Sequence, residues 1–251
     1  MAGGVAAAAV GGGDLDFQLE YGPVVGRCRR VLAACSGVRF EDVPPARGFH
    51  FEKGQRSFAG SWWLASTGEL VGYESWLERD HVMLMDFDPE VVAVSSQPFW
   101  LHWRDDDGRA RRHAPDFFVR RVDGSALVVD VRPDERIEPR DVQAFDATAR
   151  MCALAGWEFT RVGGVDPVLA ANVRWLSRYR HRRCAPAAEV AAQLTGVFGS
   201  GRALFEGAEQ VGDRLAVLPA VYHLLWKGVL SVGLSGRPLG PWSLVRAGAR
   251  R

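Results

Sequence analysis

The sequence predicts an α/β fold with a mixed sheet flanked by helices, in a domain running to about residue 180. Three observations carry that expectation. Asp116–Arg121 and Ala126–Arg132 read as two strands joined by a turn at Asp123-Gly124, and Pro133 ends the second because proline cannot donate to a ladder. Pro139–Ala155 then repeats apolar residues at helical spacing, and Trp157–Val162 returns to a strand pattern. Upstream, Glu74–Asp86 places Trp76, Leu77 and Leu84 at roughly helical intervals before Asp88-Pro89 stops the run.

The remaining elements follow in order. Residues 1–13, MAGGVAAAAVGGG, lack the positive start of a secretory signal and are read as a flexible tail. Residues 14–55 resist assignment beyond a short helix near Val24–Ala34 and a break at Pro44-Pro45. Ser57–Ser66 and Glu69–Tyr73 read as strands about a Thr67-Gly68 turn, and Val91–Val94 and Pro98–Trp103 as two more. An acidic turn, Asp105–Gly108, leads into the basic run Arg109–His113. Pro167–Tyr179 is helical in pattern, and Arg178–Arg183 (RYRHRR) reads as a basic hinge before Ala185-Pro186. Beyond it, helical spacing at Ala187–Leu194 and Leu218–Lys227, then short extended pieces at Leu230–Leu234 and Trp242–Val245, fit a small winged-helix-like domain over residues 185–251. The division expected is thus a tail, a domain over 14–180 and a C-terminal module.

Composition excludes more than it assigns. Thirty-one Lys and Arg against thirty Asp and Glu give a net charge of +1, so bulk charge does not decide on nucleic acid. The arginine clusters at 109–112 and 178–183 are either solvated faces or phosphate contacts. Cys28, Cys35, Cys152 and Cys184 form no C-x-x-C pair, which argues against zinc and disulfide frameworks and for a reducing, cytoplasmic setting. No apolar run reaches the roughly 20 residues needed to span a bilayer.

The hairpin carries the chemistry. Asp130 and Arg132 are two apart on one strand and share a face, while Leu127, Val129 and Val131 point the other way. A three-residue loop, Val122-Asp123-Gly124, pairs Arg121 with Ser125 and sets Asp116 opposite Asp130; a two-residue loop would turn Asp116 to the other face. Opposed carboxylates lie about 4.5–5.5 Å apart at Cβ and destabilise a sheet unless a cation sits with them. Phosphodiester hydrolysis needs a polarised phosphoryl oxygen, an activated water and a group that neutralises developing charge. Mg²⁺ or Mn²⁺ on two or three carboxylates supplies the first two, and a cation on the same strand face supplies the third. Asp130-Val131-Arg132 has that layout. A helical carboxylate would complete the shell, and spacing alone does not choose between Glu74 and Glu78. Glu78-x-x-His81 also matches the local motif of di-iron bundles, but the second copy such a site needs is missing.

The stretches ESWLERDHVMLMDFDPEVVAVSSQPFW, APDFFVRR and LVVDVRP together resemble the TnsA-type endonuclease subunits of heteromeric cut-and-paste transposons, within the restriction-endonuclease-like, PD-(D/E)xK superfamily. The resemblance covers about residues 60–180. It implies a restriction-endonuclease-like sheet, with Pro115-Asp116 as the PD piece and Asp130-Val131-Arg132 as the D/E-x-K piece. It maps the family's helical glutamate onto Glu78, so Glu78, Asp116 and Asp130 become the expected metal ligands and Arg132 joins them as the catalytic cation. It further implies Mg²⁺- or Mn²⁺-dependent hydrolysis of one DNA strand at transposon ends, beside a DDE transposase and under an ATP-dependent regulator. Arg132 stands where the family has lysine; arginine stays protonated and cannot serve as a general base, although it still stabilises phosphoryl charge. Two rivals follow: a catalytically silent DNA-binding adaptor, and a stand-alone defence nuclease on the same fold.

Overall fold

The computed structural model describes residues 17–23, 25–49 and 58–248. The chain forms two compact units, each assembled from two stretches of sequence: Met1–Phe49 with Ala93–Gly163, and His50–Val92 with Gly164–Arg251. The expected tail lies outside the described residues.

In the first unit, Leu19 and Tyr21 alternate with polar Gln18 and Glu20, and this period-two pattern makes β1 (Gln18–Tyr21). It pairs antiparallel with β2 (Cys28–Val31) on one side and with β6 (Trp100–Arg104) on the other, and β7 (Ala110–His113) completes the sheet beyond β6. Where a helix was expected near Val24–Ala34, the structure has β2 followed by a 3-10 turn at Leu32–Cys35. Gly26, at φ 93°, lies in the turn that brings Cys28–Val31 back along β1, so cross-strand bonds take the place of helical ones.

A second sheet has the order β10-β9-β8-β5, where β5 is Val91–Ser96, β8 Phe117–Arg121, β9 Ala126–Val131 and β10 Glu158–Val162. It is mixed: β8 and β9 are antiparallel, β9 and β10 parallel. Parallel neighbours need a long crossover, which α2 (Pro139–Ala155) supplies. Proline at its start, a capping box between Glu138 and Asp141, and left-handed Gly156 at φ 71° set its ends. Ala144, Ala147, Met151 and Cys152 of α2 join Leu19, Leu101, Phe118 and Val128 in one core. Phe40 sits at its centre, with the rings of Tyr21, Phe99, Phe118 and Trp157 between 5.0 and 5.6 Å away. The mixed α/β architecture fits a nuclease-like fold.

The second unit contains the hairpin β3 (Gly60–Trp63) and β4 (Leu70–Tyr73), α1 (Trp76–Phe87) and α3 (Pro167–Leu176). It continues through α4 (Ala188–Val197), β11 (Arg202–Ala203), α5 (Leu204–Glu209), α6 (Arg214–Trp226), β12 (Leu230–Val232) and β13 (Leu244–Ala247), the last three strands forming a sheet of order β11-β13-β12. No helix among the described residues is long and apolar enough to cross a membrane.

The packing divides the chain elsewhere than at the residue-180 boundary read from the sequence. Met83 of α1 and Val173 and Leu176 of α3 share one core with Leu194, Phe198, Leu204, Val221 and Leu225. The basic hinge is built into that unit: the Arg180 guanidinium lies 4.4 Å from the Trp62 ring and donates to the Trp63 carbonyl. Ending the chain at Cys184 should therefore unfold what remains of this unit. Each apolar side chain so exposed forfeits about 1.5–3 kcal/mol of burial, and several together exceed the roughly 5–15 kcal/mol that holds a typical domain. Limited proteolysis should cut the truncated chain within α1 and α3 while the full chain resists; equal resistance would restore the boundary near 180.

Candidate active site

The β8–β9 hairpin fixes the relation between the two aspartates. Phe117 pairs with Val129 and Arg120 with Ala126, the Arg121 N–H donates to the Ser125 carbonyl at 3.0 Å, and Gly124 takes φ 84° in the three-residue loop. Carried one step beyond the strand end, this register sets Asp116 opposite Asp130.

Their surroundings differ. Asp130 is buried, with 2% exposure, and both of its carboxylate oxygens lie 3.0 Å from Nε2 of His113 at the end of β7. Asp116 is half-buried, and its Oδ2 accepts the Val131 N–H at 2.7 Å, reaching across to the strand that carries Asp130. Gln97 anchors the Asp116 backbone. Its N–H donates to the Asp116 carbonyl at 2.8 Å, and its own carbonyl accepts from Ala46 N–H at 2.7 Å. Gln97 holds φ 47°, a conformation that costs a non-glycine residue about 1–3 kcal/mol and persists where neighbours enforce it.

Arg132 follows Asp130 on the same strand face, but its guanidinium turns to α2. Nε and Nη2 donate to Asp141 Oδ2 at 3.1 and 2.9 Å, leaving Nη1 without a partner among the described residues. Burial pushes the Asp141 carboxyl up, but the Glu138 backbone N–H and Arg132 outweigh it and hold the group below the usual carboxylate range. Cys152 lies on the same side of the sheet; burial, and then the charge of Asp130, push its thiol up to about 12. A thiol of that kind is not a nucleophile at neutral pH.

Glu78 belongs to the second unit. Ser75 caps α1 by accepting the Glu78 N–H at 3.1 Å, while Glu78 accepts the Ser75 hydroxyl at 2.9 Å and the Glu74 N–H at 2.7 Å. The Ser75 and Glu78 side chains brace the first turn of α1 reciprocally. Thus Asp116, Asp130 and Arg132 stand on one hairpin of the first unit, and Glu78 has a helix-capping role in the other. His113 escaped the sequence reading because it closes a run of arginines; in β7, Arg111 and His113 share a face, opposite Trp103 and Leu101 of β6.

The donor set suits one metal better than another. Among the described residues no three His, Cys, Asp or Glu side chains gather into a group able to hold a metal ion, as a structural zinc site would require. Mg²⁺ ordinarily takes only one or two protein carboxylates and fills its shell with water and substrate phosphate, and the opposed pair Asp116–Asp130 supplies that number.

Comparison with known families bears on this hairpin. Residues 88–162 match the family model for the TnsA-like endonuclease N terminal domain. The match runs from β5 through β10, so it contains Asp116, Asp130 and Arg132, and Glu78 lies outside it. It supports a TnsA-like nuclease relationship for that segment. No curated protein matches the chain.

Proposed function

We propose that the chain is a metal-dependent DNA endonuclease subunit of a heteromeric cut-and-paste transposase, hydrolysing one strand at transposon ends. The observation that carries the reading is the opposed Asp116–Asp130 pair inside the segment that matches TnsA-like endonucleases. Asp116 and Asp130 would hold Mg²⁺ or Mn²⁺. When bound, such a cation polarises a phosphoryl oxygen and lowers the pKa of water. His113 orients the Asp130 carboxylate through its two 3.0 Å contacts, as carboxylate partners do around metal sites. Arg132 presents Nη1 to phosphoryl charge while Asp141 holds the rest of the guanidinium in place.

The order α4–β11–α5–α6–β12–β13, with its β11-β13-β12 sheet, supports reading the C-terminal part as a winged helix, a common carrier of DNA or partner contacts. A DDE transposase and an ATP-dependent regulator are the proposed partners, carried by the family resemblance.

The assignment of Glu78 to the cleavage reaction rests on the resemblance alone, and Glu78→Gln isolates it from the cap. Glutamine keeps an oxygen for the Glu74 N–H and an amide N–H that the Ser75 hydroxyl oxygen can accept, so the melting temperature should stay within a few degrees of wild type. Strand cleavage, assayed with the partner transposase present, should be lost. Full cleavage in Glu78→Gln would reduce Glu78 to its capping role. A second reading, a silent DNA-binding adaptor, draws on the Arg132–Asp141 ion pair, which draws the expected cation toward α2. Metal-dependent cleavage by the wild type would remove it.

A further inference from the structure

Within the second unit, a cavity of about 440 Å³ opens between the β3–β4 turn, the segment after α3 and the end of α6. Its charge is one-sided. Arg180, His181, Arg182, His223 and Lys227 line it, and no carboxylate does. The buried carboxylate behind it, Asp86, is already committed: it accepts from Trp62 Nε1 at 2.9 Å and Ala65 N–H at 2.8 Å and sits 3.5 Å from Arg180 Nε. Arg180 is likewise committed, to the Ser177 and Trp63 carbonyls.

Of the other four, Arg182, Lys227 and His181 have donors to spare. Arg182 and Lys227 make no side-chain hydrogen bond or ion pair among the described residues. Lys227 also meets the C-terminal end of α6, whose dipole, equivalent to roughly half a negative charge, leaves part of the lysine charge uncompensated. Nδ1 of His181 accepts the Arg183 N–H at 3.1 Å, so in the neutral ring the proton sits on Nε2, and the ring is held 5.4 Å from Trp63. Nδ1 of His223 lies 2.8 Å from the Tyr179 carbonyl, which can only accept, so that nitrogen carries the proton. Ser66 and Thr67 add hydroxyls at the rim.

Arg182, a Lys227 whose charge Asp86 and the α6 dipole offset only in part, a histidine N–H and hydroxyls, with no carboxylate in the lining, make a site for a tetrahedral oxyanion. We propose that this cavity binds a phosphate group of the duplex DNA backbone, with Arg182 and Lys227 as the contacting cations. The choice of DNA as the source rests on the nuclease reading above; the cationic cavity does not. Such a contact fixes the register of the protein on the duplex and carries no base information.

The test is fluorescence anisotropy of a labelled duplex of arbitrary sequence with the full chain, across a series of salt concentrations. Each phosphate contact contributes about 0.9 to the slope of log affinity against log salt. The paired variant Arg182→Ala, Lys227→Ala should therefore lower the slope by about 1.8, with equal weakening on unrelated sequences. The charge-keeping pair Arg182→Lys, Lys227→Arg should restore it, which a merely destabilised protein would not show. A second arm adds inorganic phosphate at matched ionic strength. Little displacement beyond the salt effect supports the DNA backbone as source; strong displacement would make free phosphate the ligand and overturn that assignment. An unchanged slope in the alanine pair, with wild type binding normally, would overturn the site alone. A wild type that binds no duplex at any salt would overturn the DNA-acting reading with it.

Discussion

Asp130→Asn is expected to abolish strand cleavage while leaving the metal-free protein as stable as wild type, or more so. The carboxylate is 2% exposed and faces a single imidazole. Taking a charge of that kind out of water is expensive, and asparagine removes that cost while keeping the volume. Asparagine keeps the shape and an oxygen that accepts from His113, and a neutral amide NH₂ takes the place of the second carboxylate oxygen. The same change removes the anionic ligand. Metal-assisted charge stabilisation is worth several kcal/mol, so cleavage should fall by about 10³ or more. Thermal melting and single-turnover cleavage, measured side by side, check both halves. A large fall in melting temperature would show Asp130 to be a structural anchor, and unimpaired cleavage would remove it from the reaction.

Arg132→Ala should slow cleavage by about 10²–10³, the usual consequence of deleting a donor aimed at developing charge, whereas Arg132→Lys should retain much of the rate. Asp141 sharpens this expectation. It binds Nε and Nη2, so the guanidinium is positioned from one side and spends only Nη1 on substrate. Lysine keeps the charge without the planar fork, and a single contact to phosphate needs the charge more than the fork. Asp141→Asn should therefore act as a positioning variant: it frees Arg132 to move and should lower the cleavage rate less than Arg132→Ala does. The ion pair itself is half-exposed and contributes little stability, so loss of rate in Arg132→Ala without loss of fold is the diagnostic pattern. Alanine cutting as fast as wild type would favour the adaptor reading.

The parts of this site that were legible in the sequence are those fixed locally. The hairpin register follows from one loop, because Gly124 supplies the left-handed residue that a three-residue connection needs. The limits of α2 follow from Pro139 and Gly156, one favouring the first turn and the other closing the last. What escaped depends on side chains meeting across the fold. Arg132 reaches Asp141 nine residues away, past the turn that Pro133 introduces, and Asp130 meets His113 from a neighbouring sheet. Periodicity has no signal for either contact. The RYRHRR run read as a basic hinge, its arginines either solvated or on phosphate; here Arg180 is held between two tryptophans and a buried aspartate, far from it in sequence. The Ser75 cap on the Glu78 N–H was readable as S-x-x-E, but the family resemblance drew Glu78 toward catalysis instead.

In the proposed function the Asp116–Asp130 pair holds the divalent cation on which cleavage depends. Calorimetric titration of the full chain with Mg²⁺ or Mn²⁺, comparing wild type with Asp116→Ala, tests it most directly. Binding should be saturable in the wild type and should disappear in the variant. Equal binding by both proteins, or none by the wild type with either ion, would contradict it.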